Sequence, residues 1–112
     1  MRKNRKLFLS PSAHEYGTIC TLVETPKDDS VLDYNKERRI EADASVRISD
    51  CSKNIYLDFD FRDEESYNKR KEKIRVIIDT LEVFEKEMDS AFEDLNRLKS
   101  LYREEKAKQK EE

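Results

Sequence analysis

Residues 40–61 read IEADASVRISDCSKNIYLDFDF, and the reading of this stretch decides the fold. Ile40, Ala42, Ala44, Val46 and Ile48 alternate with Glu41, Asp43, Ser45, Arg47 and Ser49, so a strand here buries one face and wets the other. The polar cluster 49–54 interrupts the pattern. It then returns as Ile55, Leu57, Phe59 and Phe61 against Tyr56, Asp58 and Asp60. A hairpin with Ser49 opposite Asn54 sets Ile48 against Ile55, Val46 against Leu57, Ala44 against Phe59 and Ala42 against Phe61. Small side chains then face large aromatic ones, as interdigitated packing requires. A slip of one residue would turn the whole apolar set to water.

Toward the N-terminus, residues 16–24 are rich in β-branched side chains. Ile19, Thr21 and Val23 lie on one face and Cys20 and Leu22 on the other, which predicts a strand with both faces partly covered. All the strong chain breakers, Pro11, Gly17 and Pro26, precede residue 27. Residues 10–12 read as a turn after a short apolar strand near 7–9. Residues 25–38 read as a polar loop with a small apolar anchor in Val31, Leu32 and Tyr34.

Toward the C-terminus, Asp63 is a candidate N-cap, with Glu64 and Glu65 placed to meet the positive end of a helix dipole. Ile74, Ile77, Leu81, Phe84, Met88, Ala91, Leu95, Leu98 and Tyr102 then follow alternating spacings of three and four, the pattern of a heptad seam. A helix from about residue 64 to 108 is roughly 65 Å long, whereas strands of about eight residues span about 27 Å. The sheet cannot shelter the whole stripe. Val76, Ile78 and Val83 broaden its first half, whereas beyond Met88 it narrows to the seam plus Phe92 and Leu101. The first half is therefore expected to dock on the sheet. The second is expected to project as a coiled-coil arm that self-associates, most simply as a two-fold dimer. A rival reading restarts the helix at Ser90, since Ser90 and Glu93 have the spacing of a capping box; the seam nevertheless runs through Met88, Ala91 and Leu95 without a change of phase.

The expected class is thus α+β: a small antiparallel β-sheet of three to four strands packed on one long C-terminal α-helix. Residues 1–112 form a single domain, with a β-meander over 1–62 and the helix over 63–110.

Composition narrows the function. Charged residues make up 44% of the 112-residue chain but the net charge is only −3, so no overall basic field favours nucleic acid, and direct nucleic-acid binding is not expected. The two cysteines, Cys20 and Cys51, are too few for a disulfide framework and have no metal-ligand spacing; they read as reduced thiols packed as small residues. Basic residues at 2–6 are followed by only three apolar ones, too few for a secretory signal, and no apolar run has the length of a membrane span. A cytoplasmic protein is expected, in a host cytoplasm if the source is viral. The sole histidine, His14, has no nucleophile in a recognisable setting. With one glycine there is no phosphate-cradling loop or dinucleotide fingerprint, so neither an enzyme nor a cofactor is expected.

Three constellations remain. Asp43, Asp58 and Asp60 crowd the outer face of the hairpin, as a patch for a basic partner, a cation site, or solvated charge that discourages edge aggregation. Glu82, Glu85 and Asp89 belong to an acidic block along the helix. Such a block sets partner and register in a coiled coil, or imitates the phosphates of a nucleic acid in front of a basic protein groove. Arg38, Arg39 and Arg47 could hold an anionic ligand, since guanidinium matches phosphate in a bidentate manner. The leading expectation is a non-enzymatic oligomeric protein–protein interaction module. The alternatives are a small acidic inhibitor of a nuclease or defence complex, acting by occlusion or mimicry, and a protein that sequesters a small anion between subunits.

Overall fold

The computed structural model describes residues 1–10, 17–33, 36–50 and 52–111. The turn expected at 10–12 lies largely outside these, as do His14, Tyr34 and Cys51; of Arg38 only the backbone is described. Four strands, β1 (Arg2–Phe8), β2 (Thr18–Glu24), β3 (Asp43–Asp50) and β4 (Lys53–Asp58), precede one helix, α1 (Glu64–Glu111). The strands form a single antiparallel sheet in the order β1-β2-β3-β4. The fold is a four-stranded antiparallel sheet plus one long C-terminal helix.

The hairpin has the register that its alternation demands. Ser49 pairs with Asn54, Ile48 with Ile55 and Val46 with Leu57. Beyond the ladder, the Phe59 N–H donates to the Ala44 carbonyl at 2.8 Å, and Ala42 and Phe61 form an isolated bridge. Among the described residues Ala42, Ala44 and Phe59 are the buried side chains, 7%, 9% and 7% exposed. At the turn end, Ser49 Oγ donates to Asn54 Oδ1 at 2.6 Å.

Residues paired directly across strands share a face. Leu7, Ile19, Ile48 and Ile55 therefore form one row, and Val23, Ala44 and Phe59 belong to another on the same side. Lys6, Cys20, Arg47 and Tyr56 form a row on the opposite side.

β1 is longer than its apolar residues suggest, running through the basic segment from Arg2 rather than starting near Leu7. All seven of its side chains are exposed, so neither face imposes an apolar alternation, and its charged side chains resist further pairing at the edge. The connection from β1 to β2 closes on Gly17, whose φ of +80° suits glycine, and the Leu9 N–H donates to its carbonyl at 3.0 Å.

The loop after β2 contains two short 3₁₀ turns, Asp28–Asp33 and Glu37–Arg39. The expected apolar anchor is only partly present: Val31 is half-buried, whereas Leu32 is 88% exposed. Val31 joins Ile40, Ala42, Phe61 and Tyr67 around an apolar cavity of about 500 Å³. The Phe61 and Tyr67 rings meet edge to face there, with centroids 5.2 Å apart.

α1 starts where the carboxylate of Asp63 accepts the Ser66 N–H at 2.8 Å. Ser66 Oγ in turn accepts the N–H groups of Arg62 and Asp63 at 3.0 and 3.1 Å. This reciprocal cap satisfies donors that a helix start leaves without partners. No break occurs at Ser90, which is inside α1 with its hydroxyl directed to the Lys86 carbonyl at 3.4 Å. A serine bonded one turn back into the helix is not acting as a cap. The chain divides into two compact units, Met1–Glu72 and Lys73–Glu112.

Candidate functional site

The seam on α1 is the largest candidate surface. Leu81, Phe84, Met88, Leu95, Leu98 and Tyr102 are all exposed, from 46% at Leu95 to 61% at Tyr102. Ile74 and Ile77 are half-buried, and Ala91 is exposed. Residues three and four apart stand over one another on a helix, so these side chains form one stripe. Phe92 and Leu101, also exposed, widen it. The alignment sets these side chains apart from the single apolar residues scattered over an ordinary protein surface. Covering each half-exposed side chain contributes on the order of 1 kcal/mol.

Around the stripe the charges are set by the helix itself. Lys69 pairs with Glu65 at 3.2 Å, Arg75 with Asp79 at 3.9 Å and Arg97 with Asp94 at 2.6 Å. Glu82, Glu85 and Asp89 are exposed and make no ion pair among the described residues.

A second candidate lies where the hairpin runs out. Glu41, Asp43 and Asp60 each bring a carboxylate oxygen within 4.8 Å of the others. Ala44 N–H donates to Asp60 Oδ1 at 2.7 Å, and Asp60 N–H donates to Asp58 Oδ1 at 2.8 Å, so the backbone orients the Asp60 and Asp58 carboxylates. Partial burial pushes the Asp60 carboxyl above the ordinary aspartate value. The Ala44 N–H opposes this, and the neighbouring Asp58 and Asp43 charges reinforce it. Oxygen ligands so arranged suit a hard divalent cation. Asp43 and Asp60 were expected to meet; Glu41 was not, because strict alternation pairs it with Arg62 instead.

A third candidate is on the opposite side of the sheet from Ile48. Arg47 lines an open concavity of about 460 Å³ together with Arg2, Lys6, Asn4, Ser45 and Tyr56. None of Arg2, Lys6 and Arg47 has an ion-pair partner among the described residues. Arg39, exposed in its 3₁₀ turn, is not among the described lining residues. Of the three arginines named from the sequence, Arg47 is joined here by residues of β1, and the side chain of Arg38 lies outside the described residues. Their only sequence signal was the alternation of Arg2, Asn4 and Lys6, which becomes legible once this segment is known to be a strand.

Comparison with protein-family models, with curated proteins and with solved structures finds no match for this chain. No helix among the described residues is long and apolar enough to cross a membrane.

Proposed function

We propose that this chain is a non-enzymatic interaction protein that dimerises through α1, leaving the sheet to engage a further protein. The observation that supports this reading is the seam of Leu81, Phe84, Met88, Leu95, Leu98 and Tyr102, exposed in one copy of the chain. A seam repeating every three and four residues fits a second helix carrying the same repeat. A second copy supplies one by symmetry. Replacing both Leu95 and Leu98 with Asp places charges in the seam and abolishes the dimer. Light scattering on wild type and variant reads this directly, and an unchanged dimer mass in the variant refutes the reading.

A second reading is favoured by Arg2, Lys6 and Arg47 around one concavity, none of them in an ion pair among the described residues. It is a site for a small phosphorylated ligand, in which the Arg47 fork contacts the phosphate and the exposed Tyr56 ring covers an aromatic group. Calorimetry with nucleoside monophosphates tests it, with Arg47→Ala as the control; binding that survives Arg47→Ala removes it.

A further inference from the structure

The charges flanking the seam give the direction in which two helices pair. In a two-stranded coiled coil the residues on either side of the core seam meet across the interface and set orientation. With Ile74 and Ile77 opening the repeat, the flanking positions hold Ile78, Thr80, Glu85, Glu87, Phe92, Asp94, Lys99, Leu101 and Lys106, all within the uninterrupted α1.

When the helices run antiparallel, flanking positions of the same kind meet. The register that seats Ile74 opposite the partner's Leu98 brings Glu85 onto the partner's Glu85 and Glu87 onto the partner's Glu87. The next register, with Ile77 opposite the partner's Tyr102, brings Glu87 onto Asp94. Both place like charges at the middle of the seam, which is destabilising. When the helices run parallel and in register, each flanking residue meets one five positions further along the partner. The contacts are then Thr80 with Glu85, Glu87 with Phe92, Asp94 with Lys99 and Leu101 with Lys106. No like charges meet, and the Asp94–Lys99 attraction occurs twice by symmetry. Asp94 also pairs with Arg97 of its own helix at 2.6 Å, so the partner's Lys99 shares that carboxylate with Arg97.

We infer that α1 pairs with α1 of a second copy in parallel and in register, each seam residue facing its own counterpart. This rests on the self-pairing proposed above and adds its direction.

Cross-linking of the full chain tests it, with Cys20→Ser and Cys51→Ser to remove the native thiols and Leu98→Cys as the probe. In the parallel pair the two probes meet and air oxidation joins most of the protein as a disulfide dimer on a non-reducing gel. In either antiparallel register they lie about 25 Å or more apart along the axis, beyond bonding. Light scattering of the reduced variant accompanies the gel. A dimer mass with efficient cross-linking supports the inference, whereas a dimer mass without it overturns the direction and leaves the dimer standing. A monomer mass for both wild type and variant overturns the two together. Because Leu98→Cys trims the seam, a spin label at the outward-facing Ser100, through Ser100→Cys in the same background, gives a second reading. An electron-spin distance well under 30 Å agrees with the parallel pair, whereas one above about 30 Å contradicts it.

Discussion

Asp60 and Ala44 are joined across the end of the hairpin, the Ala44 N–H donating to Asp60 Oδ1 at 2.7 Å beyond the last regular pair of the ladder. The same carboxylate stands among Asp58, Asp43 and Glu41. One side chain therefore satisfies a backbone donor while it concentrates negative charge.

These two roles separate by substitution. Asp60→Asn keeps an oxygen for the Ala44 N–H and removes a repelled charge, so it leaves stability at neutral pH equal or higher. Asp60→Ala leaves that donor without its partner and costs about 1–3 kcal/mol. Urea unfolding of both variants checks the pair. The pH dependence follows from the raised carboxyl. A group whose folded value lies above its unfolded one binds its proton more tightly when folded, so its contribution falls as pH rises from the ordinary aspartate value through the raised one. Asp60→Asn flattens this decline.

Asp63 has the opposite linkage. The Ser66 N–H and hydroxyl hold its carboxyl below the ordinary value. The stability it contributes is present above the unfolded value and lost as pH falls through the depressed folded one. Ser66→Ala, with the N–H left in place, lets the Asp63 carboxyl rise partway toward normal and loosens the first turn of α1. A carboxylate NMR titration shows the first effect and faster exchange of the Tyr67 amide, which donates to the Asp63 carbonyl at 2.9 Å, shows the second.

Gly17 is held at positive φ, and a Cβ built on it comes within 2.7 Å of Leu9 Cδ1 and 3.0 Å of the Ser49 carbonyl oxygen. Gly17→Ala therefore meets both an unfavourable backbone conformation and a crowded site. It destabilises by about 1 kcal/mol or more, measured by urea unfolding.

Charge at the flanking positions of the seam has a predicted sign. In the parallel pair Lys99→Glu sets two glutamates against Asp94 and weakens the dimer several-fold. Adding Asp94→Lys restores the attraction with reversed polarity. Sedimentation of the single and double variants at low salt checks this, because exposed pairs of this kind are worth only about 0.2–1 kcal/mol each and are screened.

The parts of this fold that were legible in the sequence are those where burial imposes a period. Ile48, Val46 and Ala44 could pair with Ile55, Leu57 and Phe59 in only one register without exposing an apolar face. The heptad from Ile74 to Tyr102 likewise carries α1 through Ser90. β1 was underestimated because nothing buries Arg2, Asn4 and Lys6, so the segment had no apolar alternation to read. The acidic cluster was legible in Asp43 and Asp60, which the continued register sets opposite each other, but not in Glu41, which the same register sets opposite Arg62. The cationic concavity joins residues of β1 to Arg47 through two intervening pairings, which are set by tertiary structure rather than by spacing along the chain.

The central claim is that two copies cover each other's seam, and the mass of the unmodified protein in solution tests it most directly. Sedimentation equilibrium across a concentration series should give twice the chain mass of 13.4 kDa at the upper end, with reversible dissociation on dilution. A mass that stays at the single-chain value throughout, with α1 still fully helical by circular dichroism, would contradict the account.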